Sequence, residues 1–141
     1  MSERKYLPTF ADLIDRQSIA RLKSIFISEH SDAYEREIKD IQHDINLLIK
    51  EKNIVLDAKA IHACQIIMLS NRYVWENESK IRAEGNDQKQ EKLLRLTHSI
   101  NGIRNNAKNV INECLGERMD WKIDCLAADL IQEFGNWNIE Y

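Results

Sequence analysis

The chain has 141 residues, a 43% apolar fraction, 30% charged residues and a formal net charge of −3. That length fits one domain, long enough for a real core without disulfides or metals. The acidic balance argues against general nucleic-acid binding. Four glycines and one proline are too few turn residues for a β-sandwich or barrel. No apolar run approaches a membrane span, and MSERKYLPTF has no apolar signal-peptide centre. Cys64, Cys114 and Cys125 lack metal spacing and leave one thiol unpaired, so the expectation is a cytoplasmic protein with reduced thiols.

Five helices are predicted. The first runs from about Thr9 to Ser28, with Thr9 after Pro8 as its N-cap. Its apolar arc holds Phe10, Ile14, Ile19, Leu22, Ile25 and Phe26. Asp15 falls inside that arc and Ser18 beside it. The second runs from about Asp32, read as its cap, to Lys52. Tyr34, Ile38, Ile41, Ile45, Leu48 and Ile49 make a clean stripe, and the opposite face carries the i,i+4 pair Glu35/Lys39. This helix reads as structural.

The third helix starts near Asp57, runs to about Glu84 and is broken by Gly85-Asn86-Asp87. Steps of three and four from Ile61 give Cys64, Met68, Asn71, Trp75, Glu78 and Arg82, one helix face. The face begins apolar and turns charged, so it predicts buried Asn71, Glu78 and Arg82. Trp75 on the same stripe reads first as core and second as a stacking platform for a ring.

The fourth helix runs from about Gln88 to Leu115 and stops at Gly116. Its stripe is Leu93, Leu96, Ile100, Ile103, Ala107, Val110 and Cys114. Arg104 falls among inward residues, and Thr97, Asn101 and Lys108 flank it. A shorter fifth helix fits Asp120 to Phe134, followed by the aromatic tail 136–141. The expected fold is all-α: four long helices in an antiparallel bundle, most simply up-down-up-down, with the short helix and tail packed on it. The core bundle would span about 9–115 and the appendage about 120–141 of a single domain.

Three helices thus carry inward polar groups, and the charges balance: Asp15 and Glu78 against Arg82 and Arg104. Burying charge is costly unless it is paired or used. One reading is a salt-bridge network that fixes helix register. The other is a pocket for a small anion, since arginine's planar fork grips phosphate or carboxylate at two points.

Other chemistry fits less well. A magnesium-dependent pyrophosphohydrolase needs facing E-x-x-E or E-x-x-D pairs. Glu37/Asp40 lies toward solvent, Glu29/Asp32 and Glu84/Asp87 fall in turns, and Asp12 of Asp12/Asp15 points away from the apolar arc. There is no E-x-x-H pair for a di-iron site, no nucleophile motif and no phosphate loop. No metal or cofactor is expected.

Ile14-Asp15-Arg16-Gln17-Ser18-Ile19 with Leu22-Lys23, then Trp75-x-x-Glu78-x-x-x-Arg82, then Asn101-x-x-Arg104-Asn105 resemble an uncharacterised family of small helical proteins from bacteria and phages. The likeness spans about residues 10–112. It implies that Asp15, Glu78, Arg82 and Arg104 belong to one shared feature. Gln17 stands where members carry leucine, and Ser79 where a second acid often follows the glutamate.

The leading expectation is therefore a non-enzymatic helical binding protein. Its ligand would be a small anion of nucleotide or sugar-nucleotide type, and a sponge for a nucleotide signal is one form of this. Asp15, Asn71, Trp75, Glu78, Arg82, Asn101, Arg104 and Lys108 would form the site. Partners would include neither nucleic acid nor membrane, and the C-terminal helix and tail would join copies into a homo-oligomer. The alternatives are an interaction module whose network is architecture, and a hydrolase or transferase of phosphorylated sugars or nucleotides with Glu78 as base.

Overall fold

The computed structural model describes residues 3–83 and 85–120. Helix α1 spans Phe10–Phe26, α2 Ser31–Lys52, α3 Ala58–Ala83 and α4 Asp87–Leu115, with one 3-10 turn, Ser28–His30, between α1 and α2. No strand occurs among the described residues. The expected fifth helix and aromatic tail lie outside them.

The helix ends follow local chemistry. Thr9 caps α1 through a full capping box: its hydroxyl accepts from Asp12 N at 3.2 Å, and Asp12 Oδ2 accepts from Thr9 N at 3.0 Å. Two of the orphan donors at that helix start are thereby satisfied. Asp57 Oδ1 accepts from Ala60 N at the start of α3. Asn86 Oδ1 accepts from Gln88 N and Lys89 N at the start of α4. Asn53 closes α2 and Gly116 closes α4, each left-handed at φ 50° and 66°; these are the residue types that tolerate that conformation best. One expected cap is corrected. Asp32 lies in the first turn of α2, not at its boundary, and His30 holds that place without a side-chain bond. Asp32 there acts only through the helix dipole.

Helix α1 packs against α2, α3 and α4, and α3 packs along α4. Among the described residues α2 makes a close backbone approach to α1 alone of the three. The core gathers Phe10 and Ala11 from α1, Ala63 and Ile67 from α3, and Ile100 and Ile111 from α4, all essentially buried. The α2 stripe holds as expected: Ile38 and Ile41 are buried, and Ile45, Leu48 and Ile49 pack on the core. The charged face of α2 differs in its partners. Glu35 meets Arg21 at 2.6 Å and Glu37 meets Arg16 at 2.8 Å, so these acids tie α2 to α1.

The phase of α3 is the main correction. Its buried positions are Ala60, Ala63, Ile66, Ile67, Ser70, Asn71 and Asn77. Ile61 and Met68, expected inside, are about half exposed. Small residues set the interior here because they let α3 lie close to its neighbours, and small residues carry little weight in a hydrophobic stripe. Cys114 of α4, expected inward, is also exposed.

Candidate functional site

Asn71 is the hinge of the polar interior. It is 4% exposed, on the edge of α3 that faces both α1 and α4. Its Nδ2 donates to Asp15 Oδ1 at 2.8 Å and to Ser18 Oγ at 3.2 Å, both on α1. Its Oδ1 accepts from Arg104 Nη1 of α4 at 2.8 Å. Arg104 Nε also approaches Asp15 Oδ1 at 4.0 Å. One amide therefore uses donor and acceptor at once to join three helices, which a side chain of one polarity could not do.

Lys108 lies one turn further along α4. Its Nζ is 2.9 Å from Asp12 Oδ1 and 3.5 Å from Asp15 Oδ2. Asp12 therefore faces the network; the expectation that it points away from the interior is overturned, because the capping box turns its carboxylate back over the helix end. Burial pushes the Asp12 carboxyl up, but the Thr9 N–H and the Lys108 ammonium outweigh it and hold the acid below its ordinary 3.8. Arg118 reaches the same carboxylate at 3.7 Å. It also donates to the Leu7 carbonyl, and its guanidinium lies 3.9 Å from the centre of the Tyr6 ring. The segment 117–120 after α4 is pinned beside it. Asn109 Nδ2 donates to Asp120 O at 2.6 Å, and Asp120 N donates to Asn109 Oδ1 at 2.9 Å.

The network surfaces in a cleft of about 270 Å³ where the start of α1 meets the end of α4. Thr9, Asp12, Lys108, Asn112 and Arg118 line it, with Tyr6 at its side. Asn112 is 4% exposed, and its Oδ1 is buried with no hydrogen-bond partner. An orphaned acceptor of this kind is uncommon in a folded protein and marks a place where a donor is wanted.

Of the expected site residues, Asp15, Asn71, Arg104 and Lys108 come together. Glu78 and Arg82 do not. Their side chains are 53% and 81% exposed, and they approach each other at 3.9 Å on the surface of α3. The physical reason is the length of α1. It ends at Phe26, whose ring stacks on Trp75 at 5.7 Å between centroids, and beyond Trp75 nothing of α1 remains to cover that side of α3. Trp75 itself lies one turn from Asn71 and is half-buried against Phe26, a core-edge role. Asn101 is half-buried, with its Oδ1 enclosed and unpartnered.

Asp12, Asn112, Arg118 and Tyr6 were not among the expected site residues. Only Asp12 left a usable signal, because Thr9-x-x-Asp12 is a capping box and Asp12-x-x-Asp15 puts two acids one turn apart. Among the described residues no group of three His, Cys, Asp or Glu side chains is arranged to hold a metal ion, and no helix is long and apolar enough to cross a membrane. No family model, no curated protein and no solved structure matches the chain.

Proposed function

We propose that the protein is a non-enzymatic, cytoplasmic binding protein for a small anion of nucleotide or sugar-nucleotide type, held in the cleft between the start of α1 and the end of α4. The observation that carries this reading is the pairing of two cations, Lys108 and Arg118, over one half-open space lined by Asp12 and Asn112. Three features support it. The space is close to the size of a small-molecule site. Arg118 presents a fork that suits phosphate, and it lies against an aromatic ring on which a base or sugar has a platform. Asn112, in the lining, carries a buried, unpartnered Oδ1 that a ligand N–H or O–H would satisfy once the side chain turns toward the cleft. On this reading Asp12 holds the two cations in place until the anion competes for them.

The inner part, Asp15–Asn71–Arg104, is then architecture. Its hydrogen-bonding groups are already turned on one another, so it serves as the register lock for α1, α3 and α4 and as the support of Lys108. Glu78 and Arg82 have no part in it. The connections between α1 and α2 and between α3 and α4 are only a few residues long, which fits two antiparallel hairpins. The motif resemblance implies one feature made of Asp15, Glu78, Arg82 and Arg104; Asp15 and Arg104 do approach each other, whereas Glu78 and Arg82 lie apart from them on the surface of α3.

The test is mass spectrometry of small molecules released on denaturing the natively purified protein, alongside thermal unfolding with a nucleotide and sugar-nucleotide panel. The expected result is a stoichiometric phosphorylated compound, or a panel member that raises the unfolding temperature. Ligand at about 100 times Kd adds about 2.7 kcal/mol, a shift of several degrees. An empty protein that no panel member stabilises would sink the reading.

A further inference from the structure

Helix α3 is apolar on two sides. Between Lys59 and Arg72 it contains no Asp, Glu, Lys or Arg. One side of this stretch, with Ala60, Ala63 and Ile67, is buried. Ile61, Gln65, Met68, Leu69 and Arg72 share the other side at roughly 100° per residue, and all five are exposed. A helix apolar all round is ordinarily buried all round. At one end of the outer strip Phe26 of α1 lies under Arg72, ring centre to guanidinium 4.6 Å. Val55 stands just before the other end. Val55, Ile61, Met68, Leu69 and Phe26 are each between 48% and 83% exposed. Together they present on the order of 500 Å² of apolar surface, the size of the largest patch on a typical monomer, which is often a functional one.

We propose that this outer face of α3 docks on the same face of a second copy of the chain, with the two α3 helices antiparallel about a two-fold axis at Gln65. The pattern is self-complementary in that arrangement. Ile61 comes opposite the partner's Leu69. The Gln65 amide meets its own copy, where each donates to the other. Arg72 comes beside the partner's Asp57, and Phe26 comes toward the partner's Val55. Arg72 also bridges Glu76 of its own helix at 2.8 Å, and parallel docking would set Asp57 against Asp57, an isologous contact with like charges together. The strip with its flanking residues approaches the roughly 800 Å² per partner of a standard interface. This interface lies on a different face from the cleft and does not depend on any ligand there.

The experiment is sedimentation of the full chain over a concentration series, for the wild type, Leu69→Lys and Arg82→Gln. The expected wild-type mass rises from 16.6 kDa toward twice that value. Leu69→Lys should stay monomeric with an unchanged helical circular dichroism spectrum, and Arg82→Gln should behave as wild type. A second variant keeps the geometry testable: Gln65→Cys, with Cys64, Cys114 and Cys125 replaced by serine, should form a disulfide-linked dimer under mild oxidation. A wild type that is monomeric throughout overturns the proposal. So does a dimer that survives Leu69→Lys, which would place the interface elsewhere, or a Gln65→Cys variant that does not cross-link.

Discussion

Asn71→Ala removes the one side chain that bonds Asp15, Ser18 and Arg104 together. The groups left behind are mostly shielded, with Asp15 14% and Arg104 26% exposed, so water replaces the lost bonds poorly. The expected cost is about 2–3 kcal/mol, as for an interior polar group left unsatisfied. Glu78→Gln and Arg82→Gln, on the open surface, should each change stability by less than about 0.5 kcal/mol. Chemical denaturation of the three variants separates these outcomes, and equal costs would put Glu78 and Arg82 back into the interior. Asp12 gives a second prediction at this scale. Its carboxyl is lowered on folding, so its contribution is fully present above the unfolded value of 3.8 and is lost as pH falls through the folded value. The stability difference between wild type and Asp12→Asn should therefore be flat near neutrality and shrink below about pH 3.8. A difference that grows toward acid would mean that Lys108 and Thr9 do not hold the charged form.

Helix α3 shows what could be read in advance and what could not. Its existence, its start near Asp57 and its stop before Gly85 follow from capping and breaker residues, and the structure places its ends at Ala58 and Ala83. The stripe of α2 was equally legible, because large aliphatic residues recur on one face only. The phase of α3 was not. Its large side chains fall on both faces, and the interior is chosen by Ala60, Ala63 and Ser70 through close approach to neighbouring helices. That choice depends on the partner helix, which no single-helix pattern contains. The same reasoning makes Ala63→Leu a sharp test. Ala63 is fully buried in the core cluster, and added side-chain volume there should cost about 1–3 kcal/mol. Met68→Ala on the outer face should cost far less in the monomer. Thermal unfolding at low concentration distinguishes them, and a mild effect of Ala63→Leu would restore the stripe through Ile61 and Met68 as the interior.

On the scale of the molecule, four packed helices position a polar seam that runs from Ser18, through Asn71 and Arg104, to Lys108 and the cleft. The inner part of that seam was visible in the sequence, because Asp15, Asn71 and Arg104 interrupt apolar arcs and Ser18 and Lys108 flank them. The cleft was not visible, because Tyr6, Asp12, Asn112 and Arg118 meet only when the start of α1 closes on the end of α4. The central claim is that the anion site lies there and not beside Glu78 and Arg82. It is tested most directly by calorimetric titration of wild type, Arg118→Gln and Arg82→Gln with inorganic pyrophosphate, the simplest phosphate-bearing probe. Binding by wild type and Arg82→Gln, with at least a tenfold loss in Arg118→Gln, is the predicted result. No binding by the wild type, or a loss confined to Arg82→Gln, would contradict it.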